Sequence, residues 1–318
     1  MRMSFVGGGS DLPNFYKNYK GAVVSTSINK YIYISLQNYF DSSRIKLKYS
    51  KLEEIDNTNS IKHPIIRSLL SHFNLNKGLE ITSSADVPGG TGLGSSSTFT
   101  VGLIAAICKY LDLSYSKEKI AKLACHTEIE ILKEPIGKQD QYAASFGGFN
   151  FIEFNKDGFV NVQKIKTTSS LVHTLESNLH LFYLGGIRSA KSILESQNNS
   201  LIEGQIIEGQ NKMVKLAYKL RDSIESGDVD NFGHLLHENW MLKKTLSSQI
   251  SSLEIDEVYN LGLKSGALGG KLLGAGGSGF MLFYCDQKNM KTLKSNLSEY
   301  RYFDFKFDVT GTKIIYSD

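Results

Sequence analysis

The stretch VPGGTGLGSSST, residues Val87–Thr98, constrains the fold of this 318-residue chain more than any other segment. A proline opens the turn, four glycines lie within six positions, and three consecutive serines precede an apolar run with helical spacing. Glycines allow a backbone to approach an anion closely. The start of a helix then directs unpaired N–H groups and the positive end of the helix dipole toward that anion. We therefore interpret this segment as a phosphate-binding loop.

Other interpretations of this loop fit less well. No lysine follows the last glycine, so it is not a Walker loop, and it lacks the GxGxxG pattern in a βαβ context. The remaining alternative is a glycine-rich surface turn before a helix. Turn chemistry makes that alternative weaker, because it does not call for three consecutive hydroxyl groups at a helix start.

Composition narrows the functional class. A hydrophobic content of 41% and a charged content of 21% are typical of a globular protein. The net charge of +4, with no dense Lys/Arg block, suits an anionic small molecule better than a nucleic acid. Three isolated cysteines without CxxC spacing indicate neither a disulfide framework nor a zinc site. No apolar run has transmembrane length and no signal-peptide pattern opens the chain, so we expect a cytoplasmic protein without a membrane partner.

Strand and helix patterns are mixed without a regular βαβα rhythm, which favours an α+β fold over a doubly wound sheet. The patterns predict strands at 22–36 (a hairpin pair), 44–49, 79–84, 149–154, 159–165, 179–184, 280–284, 302–309 and 312–316. They predict helices at 63–73, after the glycine loop, and at 116–132, 202–225, 228–246, 253–264 and 288–300. Ser116 is expected to cap the helix that it begins, and Gly227 to end the helix before it.

The chain is long enough for two domains. Helical patterns dominate from about residue 190, so a boundary is expected between 165 and 190, with the polar stretch 167–170 as the candidate connection. We place the domains at 1–175 and 176–318.

A second glycine-rich segment, RMSFVGGGSD, opens the chain at Arg2–Asp11. Three glycines before Ser10 and Asp11 make a turn that brings the backbone close to a ligand and leaves a hydroxyl and a carboxylate to bind it. A tight turn in which Asp11 caps a helix fits the same pattern equally well.

A third segment, Gly269–Gly279, satisfies GxGxxG at Gly274, Gly276 and Gly279. A dinucleotide site requires a helix directly afterwards, yet a strand pattern follows. We reject that interpretation and expect a backbone loop packed against another ligand-binding loop.

Two carboxylates complete the chemistry. Glu128 lies late in the predicted 116–132 helix, and Asp140 follows in a Gly-Lys-Gln-Asp-Gln turn. Phosphoryl transfer needs a hard oxygen ligand for Mg²⁺ and a group that accepts the proton of the nucleophile. Glu128 and Asp140 are candidates for these roles, and Ser96 adds a hydroxyl ligand from the loop.

Taken together, the three segments resemble the GHMP kinase superfamily, named for galactokinase, homoserine, mevalonate and phosphomevalonate kinases. The family pattern Pro-x-small-x-Gly-Leu-small-Ser-Ser-small is matched by Pro88, Gly90, Gly92, Leu93, Gly94, Ser95, Ser96 and Ser97. The opening segment and Gly-x-Gln-Asp-Gln-Tyr look more like the sugar-1-kinase branch, with heptose-phosphate kinases and fucokinase-type domains. Gly8 and Gly9 replace the Glu and His of the galactokinase opening, which argues against galactose. Relatives usually carry several residues of strand before the position of Arg2, so the resemblance implies a misassigned start or a missing strand.

The resemblance implies an N-terminal ribosomal-protein-S5-like nucleotide-binding domain and a C-terminal ferredoxin-like antiparallel sheet with helices. It implies that ATP and Mg²⁺ are used, with Asp140 as the base and with Ser96 and Glu128 holding the metal. The loop that cradles the ATP phosphates would be Pro88, Gly89, Gly90, Thr91, Gly92, Leu93, Gly94, Ser95, Ser96 and Ser97. The residues that face the sugar or the nucleotide loop would be Arg2, Gly8, Gly9, Ser10, Asp11, Arg188, Gly274 and Gly276.

The function implied is transfer of the γ-phosphoryl group of ATP to a sugar, with the anomeric hydroxyl of D-glycero-D-manno-heptose 7-phosphate as the leading acceptor. Such a product would enter nucleotide-sugar and surface-polysaccharide biosynthesis, and the protein would be a monomer or homodimer. A phosphorylated acceptor needs cationic partners, for which Lys138, Arg188 and Lys191 are candidates, although each also fits a solvated surface charge. A fucokinase-like or other small-alcohol kinase and a non-catalytic nucleotide or sugar sensor remain alternatives. The presence of Asp140, Glu128 and Ser96 together counts against the sensor.

Overall fold

The computed structural model describes residues 1–186, 190–204 and 206–317. The α-helices are α1 (Pro13–Tyr19), α2 (Pro64–His72), α3 (Ser95–Tyr110), α4 (Lys117–Cys125), α5 (Gln139–Phe146), α6 (Ser169–Asn178), α7 (Ala190–Ile202), α8 (Ile207–Ser226), α9 (Phe232–Lys244), α10 (Leu253–Lys264) and α11 (Gln287–Asn296). The strands are β1 (Arg2–Val6), β2 (Gly21–Ile28), β3 (Ile32–Asn38), β4 (Ile45–Lys48), β5 (Leu52–Ile55), β6 (Leu79–Ala85), β7 (Asn150–Phe154), β8 (Val160–Lys164), β9 (Leu179–Tyr183), β10 (Ala267–Leu272), β11 (Phe280–Cys285), β12 (Arg301–Tyr302) and β13 (Phe307–Asp308).

The first sheet is antiparallel in the order β1-β2-β7-β8, and β13 also pairs with β2. Every residue of β1 and β2 is buried. This continuous burial is expected of strands covered on both faces, and α5 and α8 both contact β1 and β2. Strand β1 therefore lies in the core, and its two ends meet the loops around it.

The other two sheets complete an α+β fold. One is antiparallel in the order β10-β11-β9-β12, with α9 and α10 against β10. The other, in the order β3-β6-β4-β5, contains one parallel pair, β4 with β6. Burial alternates along β3, which packs against α3. The α+β class is confirmed, because helices cover largely antiparallel sheets.

Two strand predictions are wrong. The range 22–36 does not form a hairpin, because β2 pairs with β1 and β7 whereas Ile32 of β3 pairs with Ala85 of β6 in another sheet. Near the end of the chain only β12 and β13 form, and 312–316 is not a strand. Ile315 and Tyr316 are largely exposed there, so no sheet buries this alternating segment.

Several helix ends follow the expected local chemistry. The Ser116 hydroxyl accepts a hydrogen bond from Lys119 N at 3.1 Å, and Gly227 ends α8 in the left-handed conformation at φ 80°. The predicted 116–132 helix is correct only to Cys125, after which His126–Ile131 forms a π-helical turn. The predicted 202–225 helix begins late, at Ile207.

The predicted boundary between residues 175 and 176 falls inside α6, which Thr168 caps through Leu171 N at 3.1 Å. The largest hydrophobic core draws on both predicted domains, since it contains Phe5 and Val24 together with Leu181 and Leu282. The two predicted domains therefore share one core. No helix among residues 1–186, 190–204 and 206–317 has the length and apolar character needed to cross a bilayer.

Candidate active site

A cleft of about 310 Å³ brings the three glycine-rich segments to one place. The first segment contributes β1 and the turn after it, the second contributes the start of α3, and the third contributes the loop between β10 and β11. The start of α5 and one side of α7 also line the cleft. Segments that are distant in sequence therefore converge on one ligand-sized space.

The loop before α3 has the geometry of an anion site. Gly90, Gly92 and Gly94 have φ values of +78°, +91° and +72°, which glycine adopts without strain. No side chain caps α3, whose first residues Ser95–Ser97 line the cleft. Their uncapped N–H groups and the positive end of a 16-residue helix favour a bound anion.

The remaining predicted loop residues support this shape and do not line the cleft themselves: Pro88, Gly89, Thr91 and Leu93. The Thr91 hydroxyl donates to Pro88 O at 3.0 Å and closes the turn.

The third segment packs directly against this loop, as expected. A Cβ atom on Gly92 would lie 2.5 Å from Leu273 O, and one on Gly274 would lie 2.5 Å from the Gly92 Cα. A Cβ atom on Gly279 would lie 2.4 Å from Thr91 O. The glycines of both segments therefore permit backbone-to-backbone contact, and Gly274 and Gly276 line the cleft.

Asp140 lies in the first turn of α5, where the sequence pattern predicted a turn outside a helix. Arg2 holds it through two bonds, Nε to Oδ1 and a terminal nitrogen to Oδ2, each of 2.6 Å. The third bond of this guanidinium, 2.7 Å long, goes to Gly92 O. Planar two-point pairing fixes the carboxylate in orientation as well as position. A sugar contact for Arg2 stays a prediction; in the structure its side chain joins β1 to Asp140 and to the phosphate loop.

Glu128 is buried opposite the start of α3. Its carboxylate accepts from the Ser96 hydroxyl at 2.9 Å and from Gln141 Nε2 at 2.7 Å. Burial raises the pKa of Glu128, and its hydrogen bonds oppose that shift only in part. The π-helical turn that contains Glu128 brings it to within hydrogen-bonding distance of both partners.

Asp11 caps a helix, but not the one that follows it. Its carboxylate accepts from Gly9 N at 3.1 Å, from Gln139 N at 3.0 Å and from Gln139 Nε2 at 3.1 Å. Gln139 N opens α5, so Asp11 orients the helix that carries Asp140. Burial raises the pKa of Asp11. Asp11 also lines the cleft, and a ligand contact by its carboxylate stays a prediction.

The prediction that Ser10 faces the sugar is not supported by the geometry. The Ser10 hydroxyl is fully buried, donates to Ala22 O at 3.1 Å and accepts from Ala22 N at 3.0 Å. It joins the turn to β2 and does not line the cleft.

The turn Gly7–Gly9 is held by buried amide side chains of the C-terminal half. Gly7 N donates to Asn239 Oδ1 at 3.0 Å, and Gln210 Nε2 donates to Gly8 O at 3.3 Å. A Cβ atom on Gly9 would lie 2.3 Å from Gln197 Nε2, which explains a glycine there. Gly8 and Gly9 line the cleft, so these amides set the shape of its wall at this turn.

Sequence reasoning missed two buried lysines of the cleft, Lys243 on α9 and Lys271 on β10. Burial lowers the pKa of Lys243 to about 8 and that of Lys271 well below its usual value. One signal was available: Lys243 continues the helical spacing of Phe232, Leu236 and Trp240, at a position where an apolar residue is expected.

Of the three cations predicted to bind a phosphate, the structure describes two, and one of these lines the cleft. Lys191 lines the cleft. Lys138 does not, and its ammonium group donates to Gly158 O at 2.9 Å. Arg188 lies outside the described residues.

Comparisons with known proteins identify the family of this chain. The model for the GHMP kinases N terminal domain matches residues 59–148, and the model for GHMP kinases C terminal matches residues 220–300. The D-glycero-alpha-D-manno-heptose 7-phosphate kinase of Campylobacter jejuni is 32% identical over 98% of this chain and 96% of its own length. The bifunctional fucokinase/GDP-fucose pyrophosphorylase of Arabidopsis thaliana is 26% identical over 96% of this chain, but over only 31% of its own length.

Solved structures have the same fold along the whole chain. A D-glycero-D-manno-heptose 1-phosphate kinase from Bacteroides thetaiotaomicron superposes with a TM-score of 0.81 at 26% identity, covering 100% of this chain and 98% of its own. A putative sugar kinase from Campylobacter jejuni gives a TM-score of 0.79 at 30% identity, over 98% and 95% of the two chains. The family resemblance and the kinase class predicted from the three segments are thereby confirmed. This chain belongs to the GHMP kinase family, which uses ATP as its phosphate donor.

Proposed function

We propose that this protein transfers the γ-phosphoryl group of ATP to the anomeric hydroxyl of a phosphorylated heptose, D-glycero-D-manno-heptose 7-phosphate. The observation that carries this proposal is the placement of Asp140. Its carboxylate, oriented by Arg2, shares one cleft with the uncapped start of α3. A proton acceptor and a phosphate site that line one cleft are what in-line transfer to an alcohol requires. We place the protein in the cytoplasm, as a monomer or homodimer.

The ATP phosphates would lie on the loop from Pro88 to Ser97. The N–H groups at the start of α3 and the positive end of its dipole would then face the charge that accumulates on the transferring group. Because the loop is closed by Thr91 and supported by Gly274, its donors are held in place before the nucleotide arrives.

Ser96 and Glu128 fit a Mg²⁺ ion. A hydroxyl and a carboxylate 2.9 Å apart supply hard oxygen ligands beside the proposed phosphate site. Among residues 1–186, 190–204 and 206–317, no group of three His, Cys, Asp or Glu side chains is placed to hold a metal. One carboxylate with water and phosphate ligands suits Mg²⁺, which keeps several waters and needs no full protein cage. When bound, the ion would neutralise charge on the phosphates.

Asp140 would accept the proton of the attacking hydroxyl. The hydroxyl oxygen forms a bond to the γ-phosphorus atom, the proton moves to Asp140 and ADP leaves. An anomeric hydroxyl is more acidic than an ordinary alcohol, so a carboxylate is a sufficient base. Arg2 keeps the carboxylate oxygens in one place throughout, which reduces the entropy lost on reaching the transition state.

The part of the cleft that would hold the acceptor suits a polar, phosphorylated sugar. Gly8, Gly9 and Gln197 line one part of it, and Lys191 adds positive charge. Two relatives that align over nearly their whole length are named for heptose phosphates. The fucokinase relative supports an unphosphorylated sugar less strongly, since its identity to this chain is lower.

The test is a substrate panel. ADP release is measured with ATP, Mg²⁺ and one of heptose 7-phosphate, heptose, fucose, mannose or galactose, and ³¹P NMR locates the new phosphate. We expect heptose 7-phosphate to give the highest kcat/KM, with a phosphate at the anomeric oxygen. Preference for fucose would establish the fucokinase-like alternative. Nucleotide binding without turnover of any sugar would favour a sensor.

A further inference from the structure

Lys243 is a buried cation that the proposed chemistry has not yet used. It lies in the last turn of α9, is only 5% exposed, and lines the cleft beside Gly274 and Arg2. Lysine is rarely buried without a partner, because removing an ammonium group from water is costly. Yet within the described part of the chain its hydrogen-bond partner is the neutral Gly274 carbonyl, and no ion pair includes it.

The surrounding carboxylates are already engaged. Asp140 is held by Arg2, and Asp11 accepts three hydrogen bonds from Gly9 and Gln139. Both carboxylates stabilise the Lys243 charge from a distance, whereas Arg2 destabilises it. Among the residues that the structure describes, no carboxylate pairs with this ammonium group, which therefore brings positive charge to the cleft.

Two other lysines show what a structural role looks like in this protein. The ammonium group of Lys271 donates to Ser4 O at 2.7 Å and to Phe5 O at 3.0 Å, so it ties β10 to β1. The ammonium group of Lys244, the next residue of α9, pairs with Asp256 at 3.0 Å. Lys243 has neither two backbone acceptors nor a carboxylate.

The hydrogen bond to Gly274 O also shows where the Lys243 ammonium group lies. Gly274 O belongs to the loop that packs on Gly92, so the Lys243 ammonium lies where the third glycine-rich segment meets the phosphate loop. A phosphate group that enters the cleft offers charged oxygens, which are stronger acceptors than a peptide carbonyl.

We propose that Lys243 binds a phosphate group of the substrates, exchanging the Gly274 carbonyl for phosphoryl oxygens. The proposal rests on the function proposed above. Two groups supply this chemistry: the γ-phosphate of ATP and the phosphate of the acceptor. The experiment below separates them.

The test compares Lys243→Met with Lys244→Met, which makes the same change one residue away and outside the cleft. Calorimetry measures binding of Mg²⁺-ADP and of the non-hydrolysable Mg²⁺-AMPPNP. Steady-state kinetics measure KM for heptose 7-phosphate and for unphosphorylated heptose. Loss of a charged hydrogen bond weakens binding roughly 10- to 100-fold.

If Lys243 binds the γ-phosphate, K243M weakens the binding of AMPPNP by that factor and leaves the dissociation constant of ADP within about twofold of the parent's. If it binds the acceptor phosphate, K243M raises KM for heptose 7-phosphate and leaves KM for heptose unchanged. Lys243→Arg restores part of either loss, and K244M behaves as the parent. A folded K243M with all four values within about twofold of the parent overturns the proposal.

A second measurement on the parent protein needs no variant to fold. Lysine amines are methylated with formaldehyde and a borohydride, with or without AMPPNP or heptose 7-phosphate, and each site is quantified by mass spectrometry. We expect at least one ligand to protect Lys243 about tenfold and to leave Lys244 unaffected. Equal modification of Lys243 with and without both ligands also overturns the proposal. The nucleotide arms remain informative even if no sugar is turned over, so failure of the proposed function is distinguishable.

Discussion

Arg2 and Asp140 show how one residue pair serves both fold and chemistry. Arg2 begins the first buried strand, and its guanidinium reaches Asp140 on α5 and Gly92 O in the phosphate loop. The position of the proposed base is therefore set by the core of the first sheet. A side chain held in this way loses little freedom when substrate binds, which favours catalysis.

Asp140→Asn tests the base directly. Asparagine keeps the shape but cannot accept the proton, so we expect kcat to fall by about 10³-fold or more. The dissociation constant of ADP, measured by calorimetry, should change by less than about threefold, since the phosphate loop is intact. Asp304→Asn, at an exposed position outside the cleft, serves as the control. Turnover in D140N comparable to the parent would exclude Asp140 as the base.

Glu128→Gln tests the proposed metal ligand. The amide keeps the hydrogen-bonding shape toward Ser96 but removes the negative charge that attracts Mg²⁺. We expect the Mg²⁺ concentration for half-maximal rate to rise by about tenfold or more. Glu134→Gln is a matched control, because Glu134 also lines the cleft whereas the Ser96 hydroxyl donates to Glu128. An identical Mg²⁺ dependence in E128Q and E134Q would remove Glu128 from the metal site.

At the scale of elements, the phosphate loop was predictable because its signal is local. Glycine spacing and the serines that follow determine a loop and a helix start without reference to the rest of the chain. Strand β10 was missed for the opposite reason. Its glycines argue against a strand, yet a Cβ atom on Gly269 would lie 2.0 Å from Gly233 O, so α9 packs against bare backbone there. Only tertiary contact shows that this segment is a strand.

Strand pairing was beyond local patterns, and helical spacing gave only an indirect signal for the buried charge. The sequence identifies β2 and β3 as strands, but their alternation does not say that they join different sheets. Lys243 was overlooked because a charged residue on an apolar helix face is ordinarily solvated. In both cases the missing information is which distant segment covers the residue.

The contact between the two glycine loops gives a prediction at this scale. Gly92→Ala adds a Cβ atom at φ +91° and 2.5 Å from Leu273 O, so it strains the backbone and separates the loops. We expect the free energy of unfolding to fall by about 2 kcal/mol or more, with weaker ATP binding. Gly89→Ala is the control, because its Cβ atom would meet only Ser95 Oγ at 3.7 Å. The free energy of unfolding of G89A should lie within about 0.5 kcal/mol of that of the parent. Urea unfolding of both variants measures the difference, and equal stabilities would show that loop contact is not tight.

At the scale of the whole molecule, the site depends on both predicted domains at once. The turn Gly7–Gly9 is held by Asn239 and Gln210 from the C-terminal half, and β13 near the end of the chain returns to pair with β2. Phe5 stacks edge-on against Phe232 across the same division. The residues proposed to bind phosphate and acceptor are thus supported by one continuous core, which ties the geometry of the cleft to the integrity of the whole fold.

A shared core predicts that the two halves unfold together. Trp240, the sole tryptophan, is fully buried in α9 and reports on the C-terminal half, whereas the thiols of Cys108 and Cys125 are buried in the N-terminal half. Because Phe5, Val24, Leu181 and Leu282 belong to one cluster, opening either half exposes apolar surface of the other. In urea, the loss of native Trp240 fluorescence and the gain of thiol labelling at Cys108 and Cys125 should follow one curve, with midpoints within about 0.2 M. Both curves should shift equally when ATP and Mg²⁺ are added, since a ligand held between the halves stabilises them jointly. Labelling of Cys108 at urea concentrations where Trp240 remains native would show two independent units, and the cleft would then depend on docking of separate domains.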